Sequence, residues 1–183
     1  MLKNCRNDFP TLQGDSPPAY LDNACVTLKP QSVIDSIQRY YTETPGCGGR
    51  SVHRYGTAVS KSVVDARNKL GSFLNAATPN EIVFTRNATH SINQIAHGMK
   101  WNKGDVVLTS DREHNSNLVP WLQLEQEQGI DHRVVPSLSD NAFDLEAFES
   151  ACAQAGDRLK MVAMSHVGNL DGVELPIAEV TKI

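Results

Sequence analysis

Three short polar runs hold the residue types from which a ligand site is built: Arg86-Asn87-Ala88-Thr89-His90-Ser91, Ser110-Asp111-Arg112-Glu113-His114-Asn115-Ser116-Asn117, and Ser165-His166-Val167-Gly168-Asn169-Leu170-Asp171-Gly172. In the first, the hydroxyls of Thr89 and Ser91 stand where a helical pattern begins. Free backbone N–H groups and the helix dipole favour an anion such as a phosphate there. Either hydroxyl can equally do no more than cap the helix. In the second, the flat ring of His114 can stack on an aromatic ligand or shuttle a proton; a solvated loop histidine is the plainer reading. In the third, Asn169 lies between glycines, where the chain can turn sharply and let a ligand approach. Its amide can donate to a ligand oxygen, or it can simply be a turn residue.

The elements that position these runs follow from apolar periodicity. Pro30 suits the first turn of a helix. Val33, Ile34, Ile37, Tyr40 and Tyr41 predict a helix over about 31–43, ended by Pro45-Gly46-Cys47-Gly48-Gly49. Val59, Val63, Ala66, Leu70, Phe73 and Leu74 predict a second helix over about 57–75, with these residues as its buried stripe. Strands are expected at 81–85, 105–109, 132–136 and 159–164, and helices at 89–100, 116–128 and 144–155, the last capped by Asp144. Pro176 opens a final helix running to Ile183. This alternation predicts an α/β fold with a largely parallel sheet of about four strands and crossover helices. In such sheets ligands bind beyond the carboxyl ends of the strands. All three polar runs follow predicted strands, so together they suggest one site for a phosphorylated aromatic ligand.

Other classes fit less well. The chain has 183 residues, 40% hydrophobic and 21% charged, with a formal net charge of -4. That balance argues against a general nucleic-acid binder. No apolar run reaches the ~18 residues of a membrane span. The polar start shows no secretory signal, so a cytoplasmic location is expected. Cys5, Cys25, Cys47 and Cys152 form no C-x-x-C pair and read as free thiols. Cys47 sits in a glycine-rich loop, where a thiol can be exposed. The glycine-rich loop is not a dinucleotide fingerprint, because it follows a helix. His90 and His97 lack a carboxylate partner, so no metal site is expected.

Five segments then carry a resemblance: Tyr20-Leu21-Asp22-Asn23-Ala24, Arg50-Ser51-Val52-His53, Glu81-Ile82-Val83-Phe84-Thr85-Arg86, Glu113-His114-Asn115-Ser116-Asn117-Leu118-Val119-Pro120-Trp121, and Ser165-His166-Val167-Gly168-Asn169. In order and spacing the chain resembles the class V aminotransferase family, and most closely its cysteine desulfurase and selenocysteine lyase branch. The resemblance implies a pyridoxal 5'-phosphate (PLP) enzyme with the aspartate aminotransferase-type fold, working as a homodimer. By motif, Ala88 and Thr89 would lie at the cofactor phosphate. His114 would stack on the pyridine ring as the catalytic histidine, and Asn169 would bond the ring hydroxyl oxygen. Asn23, Ala24, Arg50 and His53 would lie on the substrate side. Such enzymes take sulfur from cysteine, leaving alanine and a persulfide for an acceptor protein. Departures are Asn87-Ala88-Thr89 where Gly-Thr-Thr is common, Asn115 in place of a second histidine, Cys25 in place of alanine, and the added carboxylate of Asp171.

The resemblance also implies segments that this sequence does not contain. They carry the aspartate that pairs with the pyridine nitrogen, the Schiff-base lysine, the persulfide cysteine and a substrate-binding arginine. None of the eight lysines present stands in the matching context. The expectation is therefore an N-terminal arm at 1–18 and, at 19–183, the N-terminal part of a large domain, truncated and inactive by itself. Two alternatives stay open. One is a PLP-dependent aminotransferase or lyase acting on another amino acid. The other is a non-catalytic half-domain that binds a partner chain, such as a complementing C-terminal chain.

Overall fold

A computed structural model describes residues 5–183. Its contacts divide the chain into two units, Met1–Phe84 and Thr85–Ile183.

The first unit is helical. Helix α1 covers Gln31–Thr42 and α2 covers Arg54–Phe73. Pro30 is the N-cap of α1, one residue ahead of the predicted first turn. The loop between the helices packs tightly on the start of α2. A Cβ on Gly46 would lie 2.9 Å from the Tyr55 carbonyl carbon, and one on Gly56 would lie 2.5 Å from Ser51 Cβ. These two glycines are required for that close approach. The stripe predicted to be buried along α2 is not: Phe73 is 84% exposed and Val63, Leu70 and Leu74 are exposed as well. Among the described residues of this unit only Gly56 and Gly71 are buried. Two helices have too little facing surface to close a core. Instead α1 and α2 border an apolar groove of about 570 Å³, lined by Tyr40, Val59, Val63, Ala66 and Phe84 among others.

The strand expected at 81–85 is absent from the structure. Pro79–Glu81 form a 3-10 turn closed by a Thr78/Glu81 capping box. The Ile82 carbonyl accepts from Arg67 Nε at 3.2 Å, so its acceptor is taken by a side chain rather than a ladder.

The second unit holds the α/β architecture. Its elements are α3 (Ala88–Gly98), β1 (Val106–Ser110), α4 (Val119–Gln128), β2 (Asp131–Val135), α5 (Leu145–Ala155), β3 (Leu159–Val162) and α6 (Ile177–Val180). The sheet is parallel, with order β2-β1-β3. It has three strands among the described residues, not about four. The predicted helix at 116–128 splits into a 3-10 turn at Asn115–Asn117 and α4. Pro120, which has no N–H, cannot continue an α-helical ladder back through that turn. Asp144 caps α5, accepting from the Ala147 N–H at 2.8 Å. The last helix is a single turn, Ile177–Val180.

All five residues of β1 are buried, as a central parallel strand requires. Alternation sends its side chains into two cores. Val106 and Leu108 join Val135, Phe143, Phe148, Ala155 and Leu175. Val107 joins Ala96, Trp121, Leu124 and Ile130 on the other face. Thr109, fully buried, meets His132 Nε2 at 2.9 Å.

Two outcomes are expected. Phe148→Ala should destabilise the chain by about 3–5 kcal/mol in chemical denaturation, because it empties a fully buried site in one core. Burial holds the His132 pKa below its ordinary value, against the opposing pull of Glu125 and Asp131. The folded state then binds fewer protons than the unfolded one. Stability should be full above about pH 6.5 and fall as the pH drops through the lowered folded value. Denaturation midpoints across that window should show this slope, and His132→Gln should remove it.

Candidate functional site at the strand ends

The carboxyl ends of β1 and β3 meet on one carboxylate. Glu113 Oε1 accepts from Ser110 Oγ at 2.6 Å and from the Ser165 N–H at 3.0 Å. Its Oε2 accepts from Asn117 Nδ2 at 2.8 Å and from Ser165 Oγ at 2.8 Å. Asn117 Nδ2 also donates to the Ala163 carbonyl at 2.9 Å, and its Oδ1 accepts from Trp121 Nε1 at 3.2 Å. Residues just after β1, at the start of α4 and just after β3 are thus held by one network. An ionised carboxylate satisfied this fully makes strong bonds, because each is charge-assisted.

His114 follows Glu113 directly and inherits that anchorage. It is the N-cap of the Asn115–Asn117 turn, its Nδ1 accepting from the Ser116 N–H at 3.1 Å and facing Ser116 Oγ at 2.9 Å. The ring is fixed through one nitrogen, while Nε2 makes no hydrogen bond among the described residues. His114 lines a polar cleft of about 360 Å³ together with Arg112, Glu113, Asn169 and Asp171. The Asn169 amide has no hydrogen-bond partner among the described residues. The structure therefore brings together two of the predicted site residues, His114 and Asn169, across the ends of β1 and β3.

The opposite wall is a tight hairpin. The Gly168 N–H donates to the Val173 carbonyl at 2.9 Å, and the Gly172 N–H to the Gly168 carbonyl at 3.0 Å. Gly172 has φ +71°, and a Cβ on Gly168 would fall 2.2 Å from Asp171 Oδ1. Glycine at 168 is what lets the Asp171 carboxylate fold across the turn. The Asp171 carboxyl is held below the usual carboxylate range, first by the Val173 N–H and then by the Arg112 guanidinium.

Helix α3 begins beside a second cleft, also about 360 Å³, lined by Ala88, Ile92, Ser116, Asn117 and Ser165 among others. Asn87 caps this helix, accepting from the His90 N–H at 2.8 Å; neither Thr89 nor Ser91 does. Ser91 Oγ pairs with Thr85 Oγ1 at 2.7 Å. The Thr89 hydroxyl has no partner among the described residues. With Asn87 taking the capping role, Thr89 is left available to an anion at the helix N-terminus.

The four substrate-side candidates lie in the first unit. Asn23 and Ala24 are in an exposed turn, where the Cys25 and Val26 N–H groups donate to the Asp22 carbonyl. Arg50 is an exposed turn residue. His53 caps α2, its Nδ1 accepting from the Gly56 N–H at 3.4 Å. Cys5, Cys25 and Cys47 are free and exposed, and Cys152 is half-buried. Among the described residues no three His, Cys, Asp or Glu side chains gather as a metal set, and no helix is long and apolar enough to cross a membrane.

Sequence reasoning passed over Glu113, Asn117, Ser165 and Arg112. The usable signal was Glu113: a carboxylate directly before the candidate histidine, at a strand end expected to be crowded.

Residues 19–183 match the aminotransferase class-V family, and the chain belongs to it. It is 34% identical to a probable cysteine desulfurase of Synechocystis over 97% of this chain and 43% of that protein. It is 33% identical to a cysteine desulfurase of Salmonella typhimurium, over 97% of this chain and 45% of that one. A solved cysteine desulfurase from Escherichia coli superimposes with TM-score 0.80 at 29% identity, covering 97% of this chain and 44% of its own. The chain thus spans less than half the length of these relatives, and its parallel sheet with crossover helices is part of their fold.

Glu113→Gln should loosen the strand-end network, because its amide would face the donors of Ser165 or Asn117 with a donor of its own. A loss of about 1–3 kcal/mol is expected in urea denaturation, reflecting an unsatisfied half-buried group.

Proposed function

We propose that this chain is the N-terminal part of a PLP-dependent cysteine desulfurase-like enzyme, with an arm at 1–18 and the first part of the large domain at 19–183. The observation that carries this reading is the polar cleft in which His114 Nε2 and the Asn169 amide stand without a hydrogen-bond partner among the described residues, at the ends of adjacent parallel strands. Cysteine desulfurase relatives along almost its whole length support the same reading.

The residues present fit the cofactor. The cleft is of a size and polarity suited to a small cofactor. His114, held through Nδ1 by Ser116, offers a ring face for stacking on the pyridine. The Asn169 amide would donate to the ring hydroxyl oxygen. Thr89, with Ala88 beside it, would offer a hydroxyl and open backbone N–H groups to the phosphate at the start of α3. When bound, the cofactor supplies the electron sink for chemistry at the substrate's α-carbon. The part of this chain is to orient the ring, with His114 Nε2 facing the cleft as a hydrogen-bond donor while Nδ1 accepts from the Ser116 N–H. Asn23, Ala24, Arg50 and His53 are the proposed substrate-side residues, cysteine the proposed substrate, and a protein thiol the proposed sulfur acceptor.

The eight lysines present do not include one in the context of the family's cofactor lysine. By itself the chain should dock PLP without turning over cysteine, as a homodimer or with a complementing C-terminal chain, in the cytoplasm.

Fluorescence titration tests the docking step. Thr89→Ala should weaken PLP binding roughly tenfold and leave pyridoxal, which lacks the phosphate, unchanged. His114→Ala should weaken both. Equal loss of both ligands on Thr89→Ala would remove Thr89 from the phosphate site.

A further inference from the structure

The hairpin that carries Asn169 is held mostly by itself. Its hydrogen bonds are Gly168 to Val173, Gly172 to Gly168, Leu175 to His166, and the Val173 N–H to Asp171 Oδ1 at 3.0 Å. His166 Nε2 and Glu174 Oε1 meet within it at 3.2 Å. Leu170 at its tip is 88% exposed, so packing does not hold it. Between Ser165, fixed on Glu113, and the buried Leu175, the described residues show one hydrogen-bonded tie to the rest of the unit. It runs from Arg112 Nη1 to Asp171 Oδ2.

Arg112 is well placed to make that tie firm. Its Nε donates to Ser137 Oγ at 2.9 Å and its Nη2 to Asn141 Oδ1 at 2.6 Å. Ser137 is in turn fixed by Asp111, its N–H and Oγ donating to the two carboxylate oxygens at 2.9 and 2.6 Å. A guanidinium with three directed partners keeps few rotamers, so its grip on Asp171 is pre-organised. Arg112 also stands two residues before His114. The Asp171 carboxylate uses one oxygen to close its own hairpin and the other to meet Arg112.

We infer that Arg112 and Asp171 are positioning residues that set the separation between the ring face of His114 and the amide of Asn169. The pair is a clasp across the cleft mouth, and it acts through those two residues without touching the ligand. This rests on the proposed PLP reading, since it assigns the clasp to the same cleft. It also accounts for the added carboxylate at 171: that carboxylate is bonded to an arginine and is not free to meet a substrate.

The test has a ligand-free arm and a ligand arm, both on the full chain. In amide hydrogen exchange, Arg112→Ala and Asp171→Asn should each speed exchange at 168–173 roughly tenfold, while 106–110 in β1 are unchanged. The double substitution should be no worse than Arg112→Ala alone, because the contact to Asp171 is then already gone. In fluorescence titration each should raise the Kd for PLP on the order of tenfold, the cost of a misplaced ligand group. Unchanged exchange at 168–173, additive effects in the double variant, or faster exchange with unaltered PLP affinity would each overturn the inference. Failure of the unsubstituted chain to bind PLP would instead overturn the proposed function, and the exchange arm would still decide whether the clasp exists.

Discussion

The Glu113 carboxylate is the point on which the site end of this molecule depends. Parallel neighbours such as β1 and β3 have no turn joining them, and their carboxyl ends meet only if something bridges the loops that leave them. Here one side chain accepts from Ser110, Asn117 and Ser165, and so ties a strand end, a helix start and a second strand end together. Replacing water around a carboxylate is costly unless its oxygens are fully bonded. The dense ring of donors meets that cost and gives the network a single geometry. His114 and Asn169 face one cleft because each follows closely on a residue of this network.

The same logic extends outward in steps. The central strand supplies rigidity by being buried on both faces, with Val106 and Leu108 in one core and Val107 in the other. The Glu113 network converts that rigidity into fixed loop starts. Arg112 then reaches from the β1 loop to Ser137, Asn141 and Asp171 and links the loops that leave all three strands. Beyond that scaffold the side chains of His114 and Asn169 stay exposed.

Much of the second unit was legible in the sequence. The strand runs read at 105–109 and 159–164, found at 106–110 and 159–162, the Asp144 cap and the helix periods between them matched local physics, so reading them needed no tertiary knowledge. The strand expected at 81–85 failed for a non-local reason. Its composition suits a strand, but Arg67 from α2 takes the Ile82 carbonyl and no described strand pairs with it. The stripe on α2 failed likewise: periodicity reports which face prefers burial, not whether a partner covers it. Thr89 and Ser91 were both open as caps because either hydroxyl can reach the helix N-terminus. Asn87 took the role, which only the backbone path could decide.

By itself the sequence determined the class of fold and which polar runs follow its strands. Alternating apolar periods allow little else, and strand ends in a parallel sheet point one way. The tertiary structure alone decided which polar residues act as scaffold. Glu113, Asn117 and Ser165 are far apart in the chain, and their roles exist only once β1 and β3 lie side by side. The same holds for Arg112 and Asp171, whose opposite charges carry no meaning in sequence until the hairpin folds back over the cleft.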